Sequence, residues 1–156
     1  MRFEIDQSGK IEDTAKLTIV AFANGKAKSL KISAVQKRKV VLTLREFSLG
    51  KTFIFRIFAG LIFLLIKDEK APEIVIDREY PGHEATIKEL LLQLFRKNSL
   101  PAPVVHFACI GKQSEAHRIA VETFRGKRKP DLIVEAREVL CLFFGDKKRS
   151  WRSHTG

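Results

Sequence analysis

Two aspartates directly follow short apolar segments, at positions where a β-strand would place its last side chain. Asp6 ends the alternating segment 3–6 before a turn-forming run, and Asp77 ends the apolar segment Glu73–Asp77 before Tyr80-Pro81-Gly82. Hard cations choose oxygen ligands, and carboxylates at the ends of neighbouring strands stay fixed while loops admit a substrate. A structural role is the alternative: Asp6 would satisfy the turn backbone, and Asp77 would cap the next turn or pair with Arg78 or a lysine.

Basic residues are abundant and partly clustered. The chain carries 29 Lys plus Arg against 18 Asp plus Glu, a formal net charge of +11. Polyanions are the natural partners of such a positive surface. Three basic triplets and one tryptophan, which could stack on a base, predict contacts to the phosphate backbone of DNA or RNA. They are Lys37-Arg38-Lys39, Lys127-Arg128-Lys129, Lys147-Lys148-Arg149 and Trp151.

The first half of the chain is predicted to form a meander of β-strands followed by one or two helices. After segment 3–6, residues 17–23 and 29–34 fit two further strands that are separated by the turn signal Asn24-Gly25. This pattern predicts three antiparallel strands. Residues 35–47 and the hydrophobic segment Phe53–Ile66 then predict one or two helices covering the sheet.

Strand and helix alternate in the second half. Glu73–Asp77 and residues 104–110 fit buried strands, and helices fit the regions around 87–95, from Ser114 to 124, and 132–143. Such alternation implies parallel pairing. We therefore predict an α/β fold with a mixed five-stranded sheet, an antiparallel three-strand meander plus parallel strands, flanked by helices.

Length and composition fit one domain. The 156 residues are 45% hydrophobic, so we assign residues 1–145 to a single domain and residues 146–156 to a basic, mobile tail. Segment Phe53–Ile66 is shorter than the ~20 residues of a membrane span, which predicts a buried helix and no membrane association. The N-terminus lacks a signal-peptide pattern, which predicts a cytoplasmic protein, and Cys109 and Cys141 lie in apolar runs that predict free thiols.

The element order and the two aspartates together resemble the ribonuclease H-like superfamily, which includes ribonucleases H, integrases and Holliday-junction resolvases. The resemblance covers residues 2–144 and implies that Asp6 and Asp77 lie side by side and bind Mg²⁺ or Mn²⁺. Two such ions ~4 Å apart can stabilise both the attacking and the leaving oxygen of phosphodiester hydrolysis. The function implied is a metal-dependent nuclease acting on DNA or RNA.

The remaining ligand of that family comes from a late helix, where this chain departs from the usual pattern. His117 takes the place of a catalytic acid if residues 114–120 align with that helix, with Glu115 as the neighbouring carboxylate. Alternatively, Asp131 or Glu135 supplies the group. The catalytic set implied is thus Asp6, Asp77, His117 and Asp131, and the metal ligands are Asp6, Asp77, Glu115 and Asp131.

Three other functions remain open on the sequence. A restriction-endonuclease-like site would use Pro130-Asp131 and Glu135-Ala136-Arg137, but its spacing and the missing lysine argue against it. A non-catalytic nucleic-acid-binding or assembly module would keep the fold without a full acid set. The weakest alternative is a membrane-peripheral protein with an exposed helix at Phe53–Ile66.

Overall fold

A computed structural model of the chain describes residues 2–47 and 52–145. The predicted tail at 146–156, with Lys147, Lys148, Arg149 and Trp151, lies outside these residues. The strands are β1 (Arg2–Ser8), β2 (Thr18–Ala23), β3 (Ala27–Ile32), β4 (Glu73–Asp77), β5 (Val104–Ala108) and β6 (Leu132–Val134). The helices are α1 (Ala34–Glu46), α2 (Phe53–Ile66), α3 (Glu84–Lys97), α4 (Glu115–Phe124) and α5 (Ala136–Phe144).

The strands form one mixed sheet in the order β5-β4-β1-β2-β3-β6. β1, β2 and β3 make the predicted antiparallel meander, and β4, β5 and β6 join it in parallel beside β1, β4 and β3. The α/β class and the mixed sheet are therefore confirmed.

The number of strands is a correction, because the described residues form six strands and five were predicted. Segment 132–143 was assigned entirely to a helix, but Leu132–Val134 pairs with β3, and the helix begins only at Ala136. A capping box between Glu135 and Glu138 marks that start. Three residues are too few to show a strand period beside a helix, so the long-range pairing with β3 decides the structure.

Side-chain alternation divides the sheet into two unequal faces. Phe3 and Ile5 of β1 point to one face, where α1, α2, α3 and α5 bury a large apolar core. On the other face a small cluster of Ile19, Ala21, Ile119 and Ala120 joins β2 to α4. Asp6, which falls between Ile5 and Gln7, belongs to this second face.

Helix α2 is the buried helix that the sequence predicted. Nine of its fourteen residues are buried, and Gly60 lets it approach Val139, Leu142 and Phe143 of α5 closely. Arg56, its charged residue, donates from Nε to Thr52 Oγ1 at 2.9 Å. Among the described residues, no helix combines the length and the apolar character that crossing a bilayer requires.

Candidate metal centre

The pairing of β1 with β4 sets the two predicted aspartates side by side. Ile5 is opposite Ile76 in this parallel pair, so the next residues along the two strands are Asp6 and Asp77. Since side chains alternate between faces, both carboxylates leave the main core and point to the face that carries α4. The predicted adjacency of Asp6 and Asp77 is thus present in the fold.

A third carboxylate, from Glu79, completes the group. One carboxylate oxygen from each of Asp6, Asp77 and Glu79 lies within 4.8 Å of the other two. A tight turn after β4 brings Glu79 back, with its backbone N–H donating to the Asp77 carbonyl oxygen at 2.9 Å. We call Asp6, Asp77 and Glu79 the carboxylate cluster. Its oxygens are donors of the kind that Mg²⁺ and Mn²⁺ prefer.

The backbone fixes two members of the cluster. The N–H of Gln7 donates to Asp6 Oδ1 at 2.8 Å, and the N–H of Ile110, just after β5, donates to Asp77 Oδ1 at 2.8 Å. Asp6 is almost entirely buried, with 3% of its surface exposed. These bonds hold the carboxylates in place without any ligand, which is the preorganisation that a metal site needs.

Burial and mutual repulsion make ionisation of the cluster unfavourable. Burial is the largest cause that raises the pKa of Asp6, and the charge of Asp77 adds to it, although hydrogen bonds from Gln7 and His117 oppose the shift. Burial, followed by the charges of Asp77 and Asp6, raises the pKa of Glu79 to about 7. Near neutral pH, Glu79 therefore retains a proton part of the time, and a hydrogen bond with Asp77 favours that form.

His117 contacts the cluster from α4. Its Nδ1 lies 2.7 Å from Asp6 Oδ2, and 32% of its side chain is exposed. When Asp6 is ionised, Nδ1–H is the donor, which leaves Nε2 able to accept a proton. The position of the ring follows from the helix start, because Ser114 Oγ accepts a hydrogen bond from the His117 backbone N–H at 3.1 Å.

The structure does not bring Asp131 to this group. Asp131 Oδ2 accepts a hydrogen bond from Ser29 N at 2.9 Å, which ties the start of β6 to β3. Since β2 and β3 separate β6 from β1, the strand spacing alone puts Asp131 roughly 14 Å from Asp6. The Asp131 carboxylate therefore stabilises the pairing of β6 with β3, and it lies apart from Asp6 and Asp77.

Glu115 and Glu135 also lie apart from the cluster. Glu115 is exposed on the first turn of α4, where its Oε1 lies 3.8 Å from Arg118 Nη2. Glu135 caps α5 together with Glu138. Glu79, which was not predicted, takes the third position. The Asp-X-Glu spacing from Asp77 to Glu79 is the sequence signal that would have indicated it.

Lys37 requires a correction, because it does not reach the surface where a phosphate contact was predicted. Its side chain is completely buried, and Nζ donates to the carbonyl oxygens of Lys10 and Asp13 and to Thr18 Oγ1 at 3.0, 2.8 and 2.9 Å. Burial lowers the pKa of Lys37 to about 8, although Asp13 and Glu12 oppose the shift. Lys37 therefore fastens the loop between β1 and β2 to α1.

The other predicted basic residues within the described chain are at least partly accessible. Arg38 is exposed and donates from Nη1 to the Thr14 carbonyl oxygen at 2.8 Å, and Lys39 is half-buried. In the loop after α4, Lys127 and Lys129 are exposed and Arg128 is half-buried. This second triplet follows the helix that carries His117.

A groove of about 460 Å³ runs along the outer side of α4. His117 lines it together with four basic residues, which are Lys112, Arg118, Arg125 and Lys127, and two acidic ones, Glu115 and Glu122. The ring that contacts Asp6 therefore also borders this basic groove.

Comparison with known proteins gives no family assignment: no protein-family model matches the chain, and no curated protein sequence matches it significantly.

Proposed function

We propose that the protein binds nucleic acid and hydrolyses its phosphodiester bonds with Mg²⁺ or Mn²⁺ held by Asp6, Asp77 and Glu79. The ribonuclease H-like relationship is part of this proposal. It is supported by the order of the elements and by the placement of Asp6 and Asp77 on neighbouring central strands.

The observation that carries the proposal is the convergence of three carboxylates within 4.8 Å around a buried aspartate. Burial first, and then the nearby charges of Asp77 and Asp6, raise the pKa of Glu79 to about 7, so full ionisation of the group is unfavourable. A divalent cation would relieve the repulsion between the ionised carboxylates, and the all-oxygen donor set suits Mg²⁺ or Mn²⁺. When bound, the metal would supply Lewis-acid stabilisation of charge on the phosphodiester oxygens.

The residues of the chain would perform three tasks around that ion. Asp6 and Asp77, fixed by backbone N–H groups, hold their oxygens in place. His117, oriented by Asp6 through Nδ1, would accept a proton at Nε2 from the attacking water. Glu79 must lose its own proton to become a ligand, so we expect metal affinity to rise as pH passes through about 7 and to level off above it.

A non-catalytic nucleic-acid-binding module is the second candidate. It is favoured by the structural use of the same carboxylates, because Asp6 accepts a backbone hydrogen bond inside β1 and Asp77 accepts one from the segment just after β5. Metal binding and cleavage separate the two functions.

The test combines isothermal titration with Mn²⁺ and a cleavage assay on DNA, RNA and hybrid duplexes. Asp6→Asn and Asp77→Asn keep the oxygens that accept from Gln7 and Ile110, so we expect both variants to fold. Each should weaken Mn²⁺ binding and reduce metal-dependent cleavage at least about 10³-fold. Nucleic-acid binding should remain, since neither aspartate attracts phosphate.

Glu115→Gln is the matched control, because it removes a carboxylate from α4 that lies outside the cluster. It should bind Mn²⁺ like the wild type and should retain metal-dependent cleavage. The proposal is wrong if the wild type does not bind Mn²⁺, or if Asp77→Asn retains full metal-dependent cleavage. Tight binding of nucleic acid without cleavage in either metal would select the binding module.

A further inference from the structure

The groove along α4 has positive charge at both ends of the helix. Lys112 precedes α4, whereas Arg125 and Lys127 follow its last residue, Phe124. All three basic residues are exposed. They define what we call the α4 groove together with His117 and Arg118.

The charges at the two ends of the α4 groove are not neutralised by neighbours. Arg118, in the middle, lies 3.2 Å from Glu122 and 3.8 Å from Glu115, so its charge is largely satisfied. Lys112, Arg125 and Lys127 make no ion pair with any carboxylate in the described part of the chain. The groove therefore has a net positive charge and complements a polyanion.

The α4 groove adjoins the carboxylate cluster through one side chain, that of His117. His117 lines the groove, and the same ring lies 2.7 Å from Asp6. A chain of phosphates lying in the groove would therefore pass within one side chain of the proposed metal site.

The length of the groove fits a short stretch of one strand. Ten residues of α-helix extend about 15 Å. One strand of a B-form duplex places a phosphate every ~3.4 Å along its axis, so α4 spans about four phosphates. We propose that the α4 groove binds the sugar-phosphate backbone of one nucleic-acid strand over about four phosphates and leads it to the carboxylate cluster. This inference rests on the proposed function, which it extends with a binding track.

The experiment measures binding by fluorescence anisotropy, with a labelled 20-base-pair DNA duplex and its single strand as the two probes. EDTA is present so that no metal-dependent cleavage occurs. The variant is Lys112→Ala with Arg125→Ala and Lys127→Ala. Each lost phosphate contact should reduce the slope of log Kd against log salt by about 0.9, so the triple variant should lose between 2 and 3 units, roughly. We expect affinity near 0.1 M salt to fall at least about 10-fold.

The matched control also removes two lysines and one arginine, but from the opposite side of the sheet. It combines Lys67→Ala, Lys88→Ala and Arg96→Ala, which are exposed residues at the end of α2 and on α3. Its net charge equals that of the groove variant, so any difference reports the position of the charges. Both variants should keep the Mn²⁺ affinity of the wild type, because none of these residues belongs to the carboxylate cluster.

The outcomes separate the groove from the metal site. Equal losses of affinity and slope in the two variants would overturn the α4 groove as the binding track, and so would a wild type that binds neither probe at low salt. The proposed function is then judged independently by Mn²⁺ titration and cleavage. Another outcome would support one proposal and reject the other. If only the groove variant loses affinity for nucleic acid, and the wild type does not cleave with either metal, the groove is supported and the nuclease function is rejected.

Discussion

The two faces of the sheet differ in how they are covered. Four helices, α1, α2, α3 and α5, bury a continuous apolar core on one face, and α2 contributes eight buried apolar residues to it. On the other face, α4 is the only helix of the described residues that packs against β1, β2 and β3, and a cluster of four buried apolar residues joins it to β2. The carboxylate cluster and the basic groove both lie on this thinly covered face.

This difference shows that one face of the sheet supplies most of the stability, while the other face carries the carboxylate cluster. Apolar area removed from water on the first face supplies most of the hydrophobic stabilisation, because that term scales with buried area. The second face can therefore tolerate three close carboxylates, whose raised pKa values at Asp6 and Glu79 show that ionising them is unfavourable. Functional sites commonly use such locally unfavourable arrangements.

The largest effect on stability is expected at Gly9, where the loop after β1 meets the end of α4. A Cβ there would lie 2.3 Å from the Leu17 carbonyl oxygen and 2.6 Å from a ring carbon of Phe124, and φ is +82°. Gly9→Ala should therefore lower the free energy of unfolding by about 3 kcal/mol, from left-handed backbone strain plus overpacking. Urea denaturation measures this change.

Gly25→Ala is the control for backbone strain alone. Gly25 also has a positive φ, +95°, but a Cβ there meets nothing within 4 Å. Its cost should be only about 1–2 kcal/mol. Equal costs at Gly9 and Gly25 would show that close packing between the loop and α4 does not stabilise the second face.

Glu79 should make the metal-free protein less stable as pH rises. Its pKa in the folded protein is about 7, above the ordinary 4.5, so the folded state holds more protons than the unfolded state between these values. The stabilisation is complete below about pH 4.5 and is lost as pH rises through 7. We expect the Tm in EDTA to fall across this window, and Mn²⁺ to restore it at pH 8.

Glu79→Gln isolates this contribution. The variant should be more stable than the wild type at pH 8 in EDTA, and Mn²⁺ should stabilise it less. Lys37 does not contribute to the change in Tm between pH 4.5 and 7, because its pKa of about 8 lies above this range. A wild-type Tm that follows the same pH profile as that of Glu79→Gln would contradict the raised pKa of Glu79 and the burial and neighbouring charges that cause it.

The sequence predicted the fold best where period and turn signals agree. β4 has the predicted bounds, and Ser114 caps α4 as expected. The parallel register sets Asp6 beside Asp77, although β1 does not end at Asp6 as predicted but continues to Ser8, where it pairs with β2. β6 was missed because pairing with β3, about a hundred residues earlier, has no local signature in a three-residue strand.

The site was only partly predictable, for reasons that differ between residues. Lys37 precedes Val40, Val41 and Leu44 by three, four and seven positions, so helical spacing puts it on the buried face of α1. The carbonyl oxygens that satisfy its charge come from the loop between β1 and β2, which no periodicity reveals. Asp131 looked equivalent to a catalytic acid because sequence shows the residue type and not its distance from Asp6.

The smallest expected effect compares two serine caps, one for each face. Ser33 Oγ accepts from Gln36 N at 3.2 Å at the start of α1, and Ser114 Oγ accepts from His117 N at 3.1 Å at the start of α4. Replacing either serine by Ala should cost about 1 kcal/mol of stability in urea denaturation. Only Ser114→Ala should also slow metal-dependent cleavage, by several-fold, because the loosened first turn carries His117 away from Asp6. Ser114→Thr, which keeps a capping hydroxyl, should recover both properties. If Ser33→Ala and Ser114→Ala slow cleavage equally, the loss reflects general stability, and the contact between His117 and Asp6 has no special part in the reaction.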